Sequence, residues 1–393
     1  MPPSPIDGNT YDHLPLLNAS RRAESTLLDR MRQLALLESP SDDKRAADGC
    51  VDAVAGIATR LGARVKRHRQ RSFGDVLELR FGASGAKRKK EESLMLLGHL
   101  DTVWPLGTLA KMPFRIADGR VWGPGTLDMK AGVSMAITAI EILRTIGAEH
   151  RPIVMLLNCD EEVGSPVSRP ITEKIARDCA AVFVLEPAQG LGGAYKTARK
   201  GVGDYTVRVT GMAAHAGVDF ERGHSAIGEL AHQLETIRTF TELDRGLTVN
   251  PGVIRGGTRT NVVAAEAEAE IDVRIARAKD AERIEKRFRR LRVRDRGCVL
   301  EVEGGMNRPP MERSRETVAL FRRAQTLAAG LGFQLEEAAT GGGSDGNFTA
   351  AMGVPTLDGM GAVGEGAHAS HESVMLKDLV PRTALLAEMI RTT

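Results

Sequence analysis

The segment 94–104 joins an apolar run to two side chains that can bind a metal ion. Its first four residues, Leu-Met-Leu-Leu, predict a strand that is buried on both faces. His99 and Asp101 follow at i and i+2, so they share one side of the chain if it stays extended. A histidine that binds a metal through one ring nitrogen usually donates its other N–H to a carboxylate, and Asp101 is a candidate for that partner. Taken alone, the segment is equally consistent with a strand end that carries incidental polar residues.

Further along the chain, the predicted elements would bring similar side chains to the same place. Apolar strands are expected at residues 153–157 and 181–185, and helices at 129–146 and 169–178. This alternation predicts an α/β domain with a mostly parallel sheet. In such sheets, ligands bind beyond the carboxyl ends of the strands.

Six residues with metal-binding side chains stand at the predicted strand ends or in glycine-rich loops. They are His99, Asp128, Glu161, Glu162, Glu186 and His368. Imidazole nitrogens and carboxylate oxygens are ligands for zinc and similar divalent ions. Each residue alone is more often ordinary surface chemistry, but the sheet would bring all six to one crevice. The adjacent Glu161 and Glu162 follow an apolar strand, so a cation is needed to offset the cost of burying their charge.

The pattern of elements changes between residues 197 and 309. Strands are expected at 204–210, 247–254, 261–275 and 298–302, and helices at 225–240 and 280–291. The resulting β-α-β-β-α-β order predicts a ferredoxin-like α+β domain. We therefore expect residues 1–196 and 310–393 to form the catalytic domain in two parts, with 197–309 as an inserted dimerisation or lid domain. Residues 1–20 are expected to be a poorly ordered lead-in.

Composition and charge exclude several classes of function. The chain has 393 residues, 42% of them hydrophobic, which suffices for two domains with substantial cores. The net charge of +3, together with a basic run at 87–90 that two glutamates follow, gives no case for nucleic-acid binding. No stretch approaches the roughly 18 apolar residues of a membrane span. The absence of a secretory signal and the four scattered cysteines predict reduced thiols in a cytoplasmic protein.

Several motifs together resemble the zinc-dependent exopeptidase family that includes glutamate carboxypeptidase, aminoacylase and succinyl-diaminopimelate desuccinylase. They are Gly98-His99-Leu100-Asp101-Thr102-Val103, Gly123-Pro124-Gly125 with Asp128-Met129-Lys130-Ala131-Gly132, Asp160-Glu161-Glu162-Val163-Gly164-Ser165, Gly211-Met212-Ala213-Ala214-His215-Ala216-Gly217 and Ala367-His368. The resemblance covers nearly the whole chain. Trp-Pro-Leu-Gly-Thr-Leu at 104–109 and Gly-Gly-Gly-Ser-Asp at 341–345 are most similar to the glutamate carboxypeptidase branch.

This resemblance implies a pair of zinc ions, which cobalt or manganese could replace, bridged by Asp128 and a water molecule. His99 and Glu186 would bind one ion, and Glu162 and His368 would bind the other. Relatives often carry Pro-Asn-Glu at the end of the tail motif, where this chain has Ser370-His371-Glu372. His371 is therefore an alternative to His368, which holds the histidine position of the family.

The resemblance also implies the catalytic roles. Glu161 would be the general base that deprotonates the water and later protonates the leaving amine, while Asp101 would hold the imidazole of the first ligand. Two metal ions about 3.5–4 Å apart acidify such a water and polarise the scissile carbonyl. His215 would stabilise the tetrahedral oxyanion from the inserted domain of a partner subunit, so a homodimer would be required for activity.

Three residues are candidates for substrate binding. Arg308 lies at the return from the inserted domain, where the family places an arginine that can fork onto a carboxylate. Asn261 matches a position that contacts substrate in relatives. The backbone at Gly343 could approach the substrate closely. For Arg308 and Asn261, a structural role explains the residue equally well.

The expected function is amide hydrolysis by a dizinc enzyme, with removal of a C-terminal amino acid from a peptide or of the acyl group from an N-acyl amino acid. A serine hydrolase is a distant alternative, because residues 342–346 fit G-x-S-x-G around Ser344, and Asp358 and His368 follow in the order of an α/β-hydrolase triad. That alternative leaves the upstream carboxylates unexplained, and residues 335–340 make a poor buried strand. A non-catalytic binding protein would be expected to lose Glu161 or a ligand, and the chain retains them all.

Overall fold

The structure, a computed structural model, describes residues 14–82 and 93–393. The basic run at 87–90 lies outside the described residues. The chain divides into two units. Of the described residues, unit 1 comprises 14–82, 93–197, Arg313–Ala339 and Phe348–Thr393, and unit 2 comprises Ala198–Glu312 and Thr340–Asn347.

The helices and strands follow in chain order. The helices are α1 Leu14–Arg22, α2 Glu24–Ala35, α3 Lys44–Arg60, α4 Ala131–Thr145, α5 Arg169–Ala176, α6 Ala226–Arg238, α7 Lys279–Arg289, α8 Arg315–Gly330, α9 Gly346–Ala351 and α10 Leu376–Thr392. The strands are β1 Arg64–His68, β2 Val76–Phe81, β3 Ser93–His99, β4 Arg115–Ala117, β5 Arg120–Trp122, β6 Ile153–Asn158, β7 Cys179–Val184, β8 Tyr195–Arg199, β9 Gly201–Thr210, β10 Thr248–Gly256, β11 Glu266–Ile275, β12 Val299–Arg308, β13 Glu337–Thr340, β14 Thr356–Leu357, β15 Gly364–Glu365 and β16 Ser373–Met375.

Unit 1 is built on a six-stranded sheet in the order β1-β2-β6-β3-β7-β14. β6, β3, β7 and β14 run parallel, whereas β1 and β2 continue the sheet antiparallel at one edge. Every residue of β6 is buried, as a strand covered on both faces requires. The apolar helix α4 is likewise buried and packs against α10 and α2. The predicted α/β class with a mostly parallel sheet is confirmed.

Unit 2 contains an antiparallel four-stranded sheet in the order β10-β11-β9-β12. β9 alternates buried and more exposed residues, and its buried face packs with α6 and α7. In this core the rings of Tyr205 and Phe288 stack with centroids 3.9 Å apart. The chain order β9-α6-β10-β11-α7-β12 with this sheet order is the predicted ferredoxin-like arrangement.

Some boundaries differ from the prediction. The expected lead-in already includes α1, because the buried Leu16 and Ala19 give it an apolar side that packs near α10 and α4. β11 begins at Glu266 rather than at 261, since its pairing with β9 starts at the pair Glu266 and Thr210. All four cysteines are free and buried. Within the described ranges, no helix is long and apolar enough to span a membrane.

Candidate metal centre

The carboxyl ends of three neighbouring parallel strands carry polar side chains that the sequence predicted for a metal site. β6, β3 and β7 lie side by side, so these ends share one edge of the sheet. His99 is the last residue of β3, Glu162 follows β6, and Glu186 follows β7. Two loops complete the set. Asp128 lies just before α4, and His368 lies between β15 and β16.

His99, Asp128 and Glu186 form a cluster that we call the inner cluster. His99 Nε2 lies 3.2 Å from Asp128 Oδ1 and 3.6 Å from Glu186 Oε1. His99 and Glu186 are both buried. Burial alone would lower the pKa of His99, but the carboxylates of Asp101, Asp128 and Glu186 outweigh burial and raise that pKa well above its usual value. The inner cluster therefore favours a positive charge at its centre.

Asp128, Glu162 and His368 form a second cluster, the outer cluster. His368 Nε2 lies 3.2 Å from Glu162 Oε2 and 3.5 Å from Asp128 Oδ2. The neighbouring carboxylates of Asp128 and Glu162 raise the pKa of His368 to about 10. Burial, together with the charge of Asp128, raises the pKa of Glu162. The two oxygens of Asp128 thus face different clusters, as in a carboxylate that bridges two cations.

Both clusters have the donor atoms and the spacing of a metal site. In each, one ligand atom per residue lies within 4.8 Å of the others. Glu162 Oε1 is buried and accepts no hydrogen bond from any residue in 14–82 or 93–393. A buried carboxylate oxygen without a donor is costly unless a cation compensates it. The residues present therefore fit a pair of divalent ions.

Asp101 supports both clusters. Its Oδ1 lies 3.4 Å from His99 Nδ1, and its backbone carbonyl oxygen lies 3.0 Å from the same nitrogen. These contacts leave His99 Nε2 directed at the inner cluster. Asp101 Oδ2 accepts hydrogen bonds from the Ser41 hydroxyl at 2.7 Å and from the Glu162 amide at 3.1 Å. Ser41 was not predicted as a site residue, because its contact with Asp101 leaves no local sequence pattern.

Glu372 is a second residue that the sequence analysis missed. It is 1% exposed, and its Oε1 accepts the amides of Leu127 at 2.9 Å and Asp128 at 3.1 Å. Burial raises its pKa, although backbone hydrogen bonds oppose that shift. Its signal in the sequence is the glutamate that ends Ser370-His371-Glu372, where relatives often carry Pro-Asn-Glu. His371 is exposed and belongs to neither cluster.

Glu161 directly precedes Glu162 of the outer cluster. It is half-buried and begins the short 3₁₀ turn Glu161–Val163. The preceding Asp160 holds this region, because its Oδ2 accepts the amides of Val167 at 2.9 Å and Ser168 at 3.0 Å. A carboxylate is thus placed next to a candidate metal ligand on a braced turn.

Unit 2 brings the predicted His215 and Asn261 together. The carbonyl oxygen of Asn261 accepts the amide of Ala216 at 3.0 Å, next to His215 in the chain. Both residues are exposed. The Gly217 amide donates to His215 Nδ1 at 3.1 Å, which leaves the ring proton on Nε2 when the histidine is neutral. His215 therefore presents an N–H donor.

Unit 2 also brings Arg308 and Gly343 together. Arg308 is buried, and its Nη1 forms an ion pair with Asp345 Oδ1 at 2.6 Å. A Cβ added at Gly343 would lie 2.9 Å from Arg308 Cδ, so glycine permits this close approach. Since one carboxylate already engages Arg308, its role with substrate stays a prediction.

The serine-hydrolase alternative has no support in the geometry around Ser344. This serine is fully buried, and its hydroxyl oxygen accepts the Gly346 amide at 3.1 Å. A nucleophile elbow instead exposes its serine after a buried strand. β13, which precedes the motif, is only partly buried.

The parallel sheet and the two clusters that share Asp128 define a metal-dependent hydrolase. Residues 95–392 match the model of the peptidase family M20/M25/M40. The chain belongs to this family and is a metallopeptidase or amidohydrolase. The family resemblance expected from the sequence motifs is confirmed.

Individual relatives agree with this placement. Carboxypeptidase G2 of Pseudomonas sp. (strain RS-16) is 26% identical over 380 residues, which cover 95% of this chain and 90% of the relative. Succinyl-diaminopimelate desuccinylase of Dechloromonas aromatica (strain RCB) is 29% identical over 314 residues, which cover 75% of this chain and 81% of the relative. The crystal structure of aminopeptidase PepT from Bacillus cereus ATCC 10987 has a TM-score of 0.76 at 22% identity and covers 94% of this chain and 98% of PepT. At this low identity, the structural similarity to PepT supports the fold of this chain and nothing beyond it.

Proposed function

We propose that this protein is a two-metal exopeptidase that hydrolyses the amide bond before a C-terminal amino acid, in the manner of a glutamate carboxypeptidase. The observation that carries the proposal is the position of Asp128. Its Oδ1 faces His99, and its Oδ2 faces His368. One shared carboxylate between two such clusters is the arrangement used to clamp a substrate between two metal ions.

The metal ligands follow from the two clusters. His99 and Glu186 would hold one ion, Glu162 and His368 would hold the other, and Asp128 would contribute one carboxylate oxygen to each. Histidine nitrogen together with carboxylate oxygen suits zinc, with cobalt and manganese as alternatives. When bound, the two ions polarise the scissile carbonyl and acidify the attacking water.

The protein side chains handle the proton and the developing charge. Glu161 takes the proton from the attacking water and later delivers it to the leaving amine nitrogen. Asp101 keeps the imidazole of His99 in place. The Nε2–H of His215, available because the Gly217 amide occupies Nδ1, donates to the oxyanion that develops on the former carbonyl oxygen. Arg308 and Asn261 are the candidates for binding the substrate. Because Gly343 has no side chain, its backbone can lie close to Arg308.

A deacylase that acts on N-acyl amino acids is the second candidate. It uses the same bond chemistry, and a relative named as a desuccinylase supports it. In both candidates the released product carries a free amino acid carboxylate. Screening dipeptides, N-acyl amino acids and folate-like glutamates with zinc, cobalt and manganese decides between them by relative kcat/KM.

A homodimer is proposed to form through β10. This strand is an edge of the sheet in unit 2, and its residues from Asn250 to Gly256 are all exposed. Ile254 is 60% exposed. Ile227, itself 45% exposed, lies beside Gly256. An exposed, partly apolar edge strand is a template for pairing with another chain. A second copy of β10 would pair with the backbone N–H and C=O groups that this edge strand leaves unpaired.

Glu161→Ala tests the mechanism. We expect kcat to fall by about 100- to 10,000-fold while two metal ions per chain remain bound, because the base is lost and the ligands are not. Glu149→Ala, at an exposed loop position, is the matched control and should keep wild-type activity. Near-normal turnover of Glu161→Ala would contradict the proposal.

Mixing variants tests whether His215 acts across the dimer. Glu161→Ala and His215→Ala protomers should each be inactive alone and regain activity when mixed under exchange conditions, because a hybrid dimer holds one intact site. Co-purification of an untagged protomer with an affinity-tagged one confirms that hybrids form. If dimers exchange and no activity returns, His215 does not act in trans.

A further inference from the structure

We propose that Glu372 is a positioning residue that fixes the bridging ligand Asp128 and couples it to the loop at Trp104. The inference rests on the proposed metal centre and goes beyond its ligands. It is carried by the set of hydrogen bonds that converge on one buried carboxylate. None of these contacts requires Glu372 to touch a metal ion or substrate.

Four hydrogen-bond donors converge on the two oxygens of Glu372. Oε1 accepts the amides of Leu127 at 2.9 Å and Asp128 at 3.1 Å. Oε2 accepts the Gly125 amide at 2.9 Å and the indole N–H of Trp104 at 2.8 Å. Three of these donors belong to the loop that carries the bridging ligand, and the fourth follows the His99 motif.

The loop at Asp128 needs an external acceptor. Asp128 has φ −114° and ψ 94°, and Met129 has φ −134° and ψ 33°, so the helix does not begin until after them. Amides in such a segment lack regular helical partners, and buried amides without acceptors are costly. Glu372 accepts three amides of this loop, those of Gly125, Leu127 and Asp128. The direction of the Asp128 side chain therefore depends on Glu372, although Glu372 contacts only its backbone.

The loop after His99 is fixed in the same way. Glu38 accepts the amides of Gly107 and Leu109, each at 2.8 Å. Trp104, at the start of that loop, is held by Glu372. A displacement of Trp104 is therefore transmitted through a single carboxylate to Asp128. Residues that orient metal ligands typically change metal affinity or activity by about 10- to 100-fold when mutated.

Unit 2 offers a matched control for this carboxylate. Glu229 is also buried, and it also holds a loop through backbone amides. Its oxygens accept Arg294 N at 3.1 Å, Asp295 N at 2.9 Å and Gln233 Nε2 at 2.6 Å. None of these donors belongs to a metal ligand. Glutamine at either position replaces one acceptor oxygen with an amino group and so loses a similar share of hydrogen bonds.

The test compares Glu372→Gln with Glu229→Gln as purified full-length proteins. Zinc affinity of each metal-free protein is measured by competition with a chromophoric chelator, beside the melting temperature and the activity at saturating zinc. We expect Glu372→Gln to bind zinc about 10- to 100-fold more weakly and to recover most activity in excess zinc. Glu229→Gln should lose melting temperature and keep wild-type zinc affinity.

A spectroscopic readout covers the case in which Glu372→Gln folds poorly. The chain has two tryptophans, and the indole of Trp122 donates to the Ala117 carbonyl instead. In a Trp122→Phe background, emission reports Trp104 alone and should change on zinc addition. Trp104→Phe should weaken zinc binding less than Glu372→Gln does, and Trp122→Phe should leave it unchanged.

The outcomes separate the inference from the proposed function. Wild-type zinc affinity in both Glu372→Gln and Trp104→Phe would overturn the inference alone, as would Trp104 emission that does not respond to zinc. Activity of Glu372→Gln that excess zinc does not restore would also overturn it. Failure of the wild-type protein to bind zinc would overturn the proposed function and this inference with it.

Discussion

The inner and outer clusters have the same kinds of ligand but very different support. The side chain of His99 is 2% exposed, whereas that of His368 is 51% exposed. His99 ends a central strand and has its Nδ1 engaged by Asp101. His368 sits in a loop with φ +61°, a left-handed conformation that costs a non-glycine residue of order 1–3 kcal/mol. Equal donor chemistry therefore does not imply equal metal sites.

The difference predicts that the two clusters bind metal ions with different affinities. A ligand that is buried and braced is already oriented before the ion arrives, so little freedom is lost on binding. An exposed ligand on a strained loop must be held in place when the ion binds. The inner cluster should accordingly be the tighter site, and the outer cluster the more exchangeable one.

The largest expected effect separates the two histidines by folding stability. In the metal-free protein, His99→Ala leaves buried carboxylates without their cationic partner, which should cost about 3–5 kcal/mol in the free energy of unfolding. His368→Ala should cost less than His99→Ala, because the imidazole of His368 is half-exposed and solvent weakens its attraction to the carboxylates. Urea denaturation of the metal-free wild-type protein and of both metal-free variants measures these losses in the free energy of unfolding. Equal losses would remove the distinction between the clusters.

Metal removal sharpens the comparison further. During stepwise dialysis against a chelator, we expect one ion to leave at a chelator concentration at least about tenfold lower than the other, reflecting a difference of about 1.4 kcal/mol in binding free energy. In His368→Ala the weaker step should disappear while the tighter step remains. Metal analysis at each step is the measurement. A single step that releases both ions would contradict the expectation.

The smallest effect concerns the support of the inner cluster. Ser41→Ala removes one hydrogen bond to Asp101 and should lower stability by about 1 kcal/mol, with a modest fall in kcat. His371→Ala tests the alternative ligand. Because His371 belongs to neither the inner nor the outer cluster, this variant should retain wild-type metal content and activity. Loss of a metal ion in His371→Ala would assign it as a ligand in place of His368.

The sequence predicted the parts of this molecule that depend on local pattern. Apolar runs located β3, β6 and β7, and a parallel sheet places their carboxyl ends at one edge. This is why His99 and Glu186 could be expected in one crevice. The family resemblance then supplied the loop residues Asp128 and His368.

The remaining features depend on contacts between distant residues. Ser41 bonds Asp101 across 60 positions, and Glu372 bonds Gly125 across 247. Neither contact leaves a periodic pattern in the sequence. The unequal burial of His99 and His368 also became visible only in the folded unit, since exposure depends on what packs around a loop.

The order of the ligands along the chain has a consequence for biosynthesis. Every ligand of the inner cluster is made by residue 186, before any of unit 2 is translated. The outer cluster must wait for His368, and the carboxylate that braces Asp128 arrives only at residue 372. A nascent chain therefore carries the complete inner cluster while unit 2 is made, whereas the proposed two-metal centre is complete only after residue 372.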